Sequence, residues 1–404
     1  MTCDRMLVHI CCSVDSHYFL QELRKLYPAT QFSGFFYNPN IHPHAEYLLR
    51  LADVRRSCQK LHMELIEGDY ALEAWLEAIQ GLEQEREKGA RCNVCFDVRL
   101  EACAKMALML GIGAFSTTLL SSPMKEQAIL KAQGEAIGAR YDLRFIYHNV
   151  RAQGGVERQN ALAKRDKLYR QNYCGCQFAL NAQRQAQNKP CIELLSPLSG
   201  QVQPSSIQHR LELFKQRDRL ETRGLDYSLL QHSTQAYILL GALVRVGGVP
   251  LSSYILNHSM GKKATLKDVQ IHTITLKPTF AQSLLAKQHH LEIPEIALEV
   301  GLSCKDDTLF LDTRGVATLL SRVPTPLTGL KLRYEEELYI RERLVGVEST
   351  QPIVVLDTLE TLKDAPISIE ITAQSFEHRN FYLLEHARAS LPPKQAKEQG
   401  EAHP

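Results

Sequence analysis

Short apolar runs separated by longer amphipathic stretches organise roughly the first 180 residues of this chain. Met6–Ile10, Phe32–Tyr37, Met63–Glu67, Ala114–Thr118 and Leu143–His148 have the length and apolar content of buried strands. Between them, Tyr18–Leu26, Ala45–His62, Tyr70–Lys88, Cys95–Leu110 and Lys125–Ile137 repeat apolar residues at three- and four-residue spacing, the period of one helix face. Val156–Tyr169 adds a last helix of the same kind. Strand and helix in alternation predict a parallel sheet with helices on both faces, a Rossmann-like α/β architecture over residues 1–185. Ligands of such sheets bind outside the carboxyl ends of the strands. Three polar segments converge there: Cys11-Cys12 after the first strand, Tyr37–Pro43 after the second, and Ser116–Pro123 after a later one.

The pattern then changes. Residues 186–206 are rich in Asn, Gln, Pro and Ser and read as a linker. Ile207–Thr222 and Leu225–Val246 read as helices, and Val269–Leu276, Thr308–Leu311, Pro352–Leu356 and Ile367–Thr372 as strands. A second, α+β domain over 207–385 is the expectation, with a polar, disordered tail over 386–404.

Composition narrows the class. A hydrophobic content of 44% with 23% charged residues describes a soluble globular protein able to bury real cores. No run approaches the roughly 20 apolar residues of a membrane span. The N-terminus lacks a basic segment followed by an apolar one, which predicts no secretory signal. Eleven cysteines in 404 residues are too sparse for a secreted disulfide scaffold, and a cytoplasmic location with reduced thiols is expected. The net charge of +2 is uninformative, but its distribution is not. Between Arg140 and Arg170 eight basic residues face three acids. Such a stripe is ordinarily a solvated helix face; beside a reactive centre it also suits phosphate contacts with RNA.

The candidate chemistry lies in six cysteines arranged as three close pairs: Cys11-Cys12, Cys92-x-x-Cys95 and Cys174-Gly175-Cys176. Scattered cysteines in a core behave as small hydrophobes, and the unpaired Cys3, Cys58, Cys103, Cys191 and Cys304 are read as core or surface residues. Close pairs more often hold a metal or exchange electrons. Soft thiolates without a paired-histidine motif suit an iron–sulfur cluster, whereas structural zinc usually joins two CxxC-like knuckles and only one is present. Asp15 reads first as the N-cap of a helix starting near Ser16, and second as a metal ligand or proton donor. His42 is a turn residue or a functional one. Tyr37 and Tyr173 pack, or stack on a splayed base.

The segments His9–Asp15, Phe36–Pro43, Arg91–Asp97 and Tyr169–Cys176, with Ser116–Pro123 beside them, resemble the QueH-type epoxyqueuosine reductases over residues 5–182. That resemblance implies reductive removal of the epoxide oxygen from epoxyqueuosine at the wobble position of a tRNA anticodon, without cobalamin. It implies a [4Fe–4S] cluster on Cys11, Cys12, Cys92 and Cys95, and a redox-active dithiol/disulfide at Cys174 and Cys176. It also gives Asp15 a place at a second, mononuclear iron or as proton donor. The partners implied are a tRNA carrying epoxyqueuosine and an unidentified electron donor, with no membrane. The region beyond residue 182 is not covered, and an appended tRNA-binding or regulatory domain is one reading of it. Two rival classes stay open: an ATP-dependent iron–sulfur tRNA thiolase on a similar sheet, and a zinc-stabilised RNA-binding module. Against the thiolase, Cys11–Ser16 lacks the glycines of a pyrophosphate loop.

Overall fold

The structure, a computed structural model, describes residues 4–189, 191–194, 206–279, 282–283, 288, 290, 292–303, 306–346, 349–363 and 366–386. Most of the expected linker, the expected tail beyond residue 386, and Cys3 and Cys304 lie outside these residues. Among the described residues no helix is long and apolar enough to cross a membrane. The chain divides into two compact units.

The first unit follows the predicted alternation. Its elements are β1 (Arg5–Ile10), α1 (Ser13–Leu26), β2 (Gln31–Phe36), α2 (His44–Lys60), β3 (Glu64–Glu67), α3 (Leu72–Ala78), α4 (Ala90–Met109), β4 (Ala114–Thr117), α5 (Gln127–Arg140), β5 (Arg144–Phe145), α6 (Gly155–Arg165) and α7 (Gln177–Ala186). The five strands are parallel, in the order β3-β2-β1-β4-β5. Side chains of β1 alternate between two cores. Met6, Val8 and Ile10 pack with Phe19, Leu20 and Leu23 of α1 and Val54 of α2. Leu7 faces the other way, onto Leu100, Cys103 and Ala107 of α4 and Ile137 of α5. All four strand side chains are fully buried; each such aliphatic contributes about 1.5–3 kcal/mol, so both helical layers are pinned to one strand. The chain leaves β1 toward β2 and leaves β4 toward β5, on opposite sides. That reversal opens a crevice at the carboxyl ends of β1 and β4.

Three local differences have physical causes. The helix expected over Tyr70–Lys88 stops at Ala78, because the chain turns at Gly81 in the left-handed region (φ +82). The strand expected over Leu143–His148 keeps only Arg144–Phe145 in the ladder. A further helix, α7, extends to the first residue of the expected linker.

Helix α8 (Ile207–Thr222), expected to open the second domain, packs instead with the first unit, which includes Ile207–Leu230. Ile207 and Phe214 join Leu49 and Tyr169 in one cluster. The fully buried Arg217 donates to Asp53 Oδ1 at 2.8 Å, and Glu221 accepts two bonds from Arg56, at 2.6 and 2.8 Å.

The second unit, built mainly on Gln231–Asn380, has the α+β character expected. The segment read as a helix over Leu225–Val246 is the long strand β6 (Tyr227–Val246). Its leucines suit a helix locally, but pairing with the neighbouring strands β7 and β14 overrides that propensity, and Val244 and Val246 pack into a core. The remaining strands are β7 (Val249–Leu251), β8 (Tyr254–Ile255), β9 (Lys262–Leu266), β10 (Val269–Leu276), β11 (Ile296–Ser303), β12 (Asp306–Asp312), β13 (Ile353–Leu356) and β14 (Ile367–Glu385). They form a mixed sheet, β10-β11-β12-β13-β8, and a second sheet, β7-β6-β14-β9. Helices α9 (Thr313–Leu319) and α10 (Tyr334–Leu344) cover Leu309, Leu311, Ile353 and Val355. Phe310, Val354 and Leu356, on the other face, meet Ile367, Ile369 and Ile371 of β14.

Candidate active site

Cys11 and Cys12 leave β1 at the switch point, and Cys12 is the N-cap residue of α1. The helix starts at Ser13, so Asp15 is not its cap, contrary to the first expectation. Asp15 lies buried in the first turn, where Oδ2 accepts from the Cys11 thiol at 3.2 Å and Oδ1 from Gln159 Nε2 at 2.7 Å. Gln159 is fixed in turn by Ser121 Oγ at 2.9 Å. Thr118, just past β4, accepts from the Cys11 backbone N–H at 3.0 Å and donates to Cys11 Sγ at 3.2 Å.

The ligand atoms of Cys11, Cys12 and Asp15 all lie within 4.8 Å of one another. Hydrogen bonding to Cys11, then burial and the Asp15 charge, push the Cys12 thiol well above its ordinary value. Burial pushes the Asp15 carboxyl up, while its hydrogen bonds and Lys125 pull the other way. The Cys12 thiol and the Asp15 carboxyl, both buried and close together, resist ionising together. A bound cation would relieve that repulsion and take the thiolates as ligands.

Cys92 and Cys95 stand in the first turns of α4, as expected for a loop entering a helix. Cys92 Sγ accepts from the Lys88 N–H at 3.2 Å. Cys95 is buried beside Trp75, Ile79, Cys176 and Ala179. Burial raises both thiols of this pair, and it pushes Cys176 up to about 11. Neither Cys92 nor Cys95 belongs to the compact Cys11-Cys12-Asp15 group; ligands of a multi-iron cluster stand further apart than ligands of one ion.

Cys174 differs from the rest. Burial raises its thiol, but the charges of Lys125 and Arg99 outweigh that and hold it below the ordinary cysteine value. Lys125 Nζ lies 3.2 Å from Cys174 Sγ. Among the described residues the nine cysteines form no disulfide. Cys58 and Cys103 are core residues, as read from the sequence; burial pushes Cys58 up to about 12.

The Tyr37–Pro43 motif acts as a clamp. The His42 N–H donates to Gly175 O at 2.9 Å, and Tyr173 Oη donates to His42 O at 2.6 Å. Arg50, paired with Glu46, donates to the carbonyls of Tyr173 and Cys174, both at 3.1 Å. Gly175 sits at φ +114, and a Cβ there would come within 2.9 Å of Ile41. Only glycine lets the two cysteines flank so tight a turn. Tyr173 Oη and the His42 backbone thus brace the loop. His9, buried and kept neutral by desolvation, ties Thr117 and Tyr37 to β1.

A cavity of about 370 Å³ opens over this centre. Cys11, Asp15, Lys125, Gln159, Gln171 and Cys174 line it, with Arg99 and Arg170 also on its wall. Of the residues expected from sequence, Cys11, Asp15 and Cys174 face the cavity; Cys12, Cys92, Cys95 and Cys176 are not among its lining residues. Sequence reasoning missed Lys125, Gln159, Arg50 and Arg99. Part of the basic stripe is spent internally: Arg151 bonds the carbonyls of Ser122 and Lys125, Arg165 pairs with Asp166, and Lys167 donates to Tyr227 O.

A family model described as epoxyqueuosine reductase QueH matches residues 6–182. An epoxyqueuosine reductase QueH from Helicobacter pylori is 41% identical over 391 residues, covering 94% of this chain and 100% of that protein. The protein of that name from Acinetobacter baylyi is 37% identical over 195 residues, 47% of this chain and 88% of the relative. One from Thermotoga maritima is 33% identical over 183 residues, 45% of this chain and 92% of the relative. Both units therefore have a counterpart in the Helicobacter relative, and the shorter two match a stretch the length of the first.

Proposed function

This chain belongs to the epoxyqueuosine reductase QueH family, and from that premise we propose that it removes the epoxide oxygen of epoxyqueuosine in the wobble position of a tRNA anticodon. The products are queuosine and water, and the change takes two electrons and two protons. The observation that carries this reading is the cavity at the switch point, with the Cys174 thiol and the Cys11–Asp15 group on its wall. Its volume is in the range of small-ligand sites, roughly 300–1,000 Å³, which suits one modified base turned out of the anticodon stack. Arg170 and Arg99 supply positive charge beside it.

The donor set fits iron. Cys11, Cys12, Cys92 and Cys95 would hold a [4Fe–4S] cluster, and Asp15, within 4.8 Å of the Cys11 and Cys12 sulfurs, adds an oxygen donor suited to a second, mononuclear iron. When bound, such a centre passes electrons singly and offers a Lewis acid to an oxygen. The chain's own residues do the rest. Thr118 and Gln159 orient Cys11 and Asp15. Arg50 and the Tyr37–Pro43 clamp hold the Cys174 loop at the wall. Cys174 and Cys176 act as the redox pair, returned to the dithiol by an external electron donor. The ATP-dependent thiolase reading loses further ground, because the Cys11 N–H is already given to Thr118 and is not offered to a phosphate.

The test is anaerobic incubation of iron-loaded protein with epoxyqueuosine-containing tRNA and dithionite, followed by nucleoside analysis. Conversion to queuosine is the expected result. A thiolated base formed only with ATP, or zinc-loaded protein that binds the tRNA unchanged, would replace this reading by one of its rivals.

A further inference from the structure

Lys125 has no counterpart among the site residues read from the sequence, yet it lines the cavity beside Cys174. Only 8% of it is exposed. Its Nζ reaches Cys174 Sγ at 3.2 Å and lies 5.6 Å from the centre of the Phe96 ring. Among the described residues no carboxylate forms an ion pair with it; the charges that act on it most are those of Cys174, Cys92 and Glu87. Its backbone is fixed as well. The turn Ser122–Lys125 closes through the Lys125 N–H and Ser122 O, and Arg151 Nη1 donates to both Ser122 O and Lys125 O, at 2.9 and 3.0 Å. A buried ammonium is costly to keep unless its charge is used.

We propose that Lys125 is a catalytic residue of the same reaction: its ammonium holds Cys174 as a thiolate and gives a proton to the epoxide oxygen as that oxygen leaves. This rests on the reductase reading above. The other groups on the wall suit the task less. Both oxygens of Asp15 are engaged, by Cys11 and Gln159. Arg99 and Arg170 carry guanidinium groups that do not release protons. An ammonium has three hydrogens, and Cys174 takes one.

The step balances. The Cys174 thiolate and the Cys176 thiol give up two electrons as they join in a disulfide. Both carbon–oxygen bonds of the epoxide break, a carbon–carbon double bond forms, and the oxygen departs as water. One proton comes from Cys176 and one from Lys125, so a neutral amine and a neutral disulfide remain where an ion pair and a thiol stood. Consuming the thiolate removes the anion that held the Lys125 proton, so the ammonium becomes the stronger acid at the moment the proton is needed. Reduction of the disulfide by the external donor restores the thiolate, and Lys125 is protonated again.

Two variants separate the two roles, each checked for its visible absorption before use. In anaerobic iron-loaded protein, the rate of Cys174 alkylation by iodoacetamide is followed against pH by peptide mass spectrometry. Single-turnover queuosine formation is measured on the same samples. Lys125→Ala is expected to slow alkylation at pH 7 about tenfold and turnover about 10²-fold or more, the usual weight of a general acid. Methylamine should recover part of that turnover. Lys125→Arg keeps the charge without a transferable proton, and should restore alkylation but not turnover. Wild-type turnover in Lys125→Arg would remove the proton role. An unchanged alkylation profile in Lys125→Ala would remove the ion pair. Wild-type protein that makes no queuosine would sink the reductase reading instead, and the alkylation profiles would still decide the pairing.

Discussion

In the first unit, buried polar side chains gather around the carboxyl ends of β1 and β4: Asp15, Asn38, Arg50, Arg99, Thr118 and Lys125 are all under 9% exposed. In the second unit, the buried polar side chains serve the fold. Asp312 caps α9 through the Gly315 N–H at 2.7 Å, and Arg341 is used up by the carbonyls of Asn257, Ser349 and Gln351. Most of the rest of its interior is aliphatic, one core lying between a sheet and the helices α9 and α10 and the other between the two sheets. Burying polar and charged groups costs free energy that aliphatic packing does not. The first unit bears that cost at one rim of its sheet, which marks that rim as the candidate site. The second unit has slightly more acids than bases over residues 231–380, which weakens the expectation that it grips RNA by charge.

That contrast makes mutations in the two units separable. The largest effect is expected from Cys11→Ala, which removes a sulfur common to every ligand assignment; iron content and visible absorption should collapse and turnover vanish. Cys174→Ala should keep most of the absorption while turnover falls about 10²-fold or more, and a variant with full turnover would end the redox assignment. Arg50→Met takes the ion-pair partner from the buried Glu46, leaving it Tyr169 Oη, and should lower stability by about 3–5 kcal/mol in denaturant titration, with turnover falling as the Cys174 loop loosens. Asp312→Ala, in the second unit, should cost about 1 kcal/mol as a lost N-cap, with iron content and turnover unchanged. A loss of iron in that variant would break the comparison.

A further effect concerns pH. Glu221 is pulled down to about 2, because its bonds to Arg56 and Tyr227 and the charges of Arg56 and Lys60 outweigh burial, which acts the other way. A depressed carboxylate stabilises above its unfolded value of about 4.3 and loses that contribution as the pH falls toward about 2. Glu221→Gln should therefore flatten the stability profile across that window alone, as read by thermal unfolding at several pH values.

What the sequence made legible was local. The alternation of β1 and the three cysteine pairs could be read because the residues that define them are adjacent or nearly so. The helix assigned to Leu225–Val246 failed because leucine and alanine favour helix locally, while the pairing that makes β6 a strand is long-range. Helix α8 was legible as a helix, but its place was not, because Arg217 finds Asp53 across 164 residues of sequence. The same limit hid half of the site. Lys125 meets Cys174 across 49 positions, Thr118 meets Cys11 across 107, and Gln159 meets Asp15 across 144. No spacing rule reaches so far. A lysine after Ser-Pro-Met looks like any helix-leading residue until the fold brings a thiol to it.

The most direct test is a single turnover without an external reductant. Fully reduced, iron-loaded enzyme is mixed anaerobically with one equivalent of epoxyqueuosine-containing tRNA and quenched with an alkylating agent. The peptide bearing Cys174 and Cys176 is then weighed against the queuosine formed. One Cys174–Cys176 disulfide for each queuosine is the expected result. Queuosine formed with both thiols still open to alkylation would contradict the account.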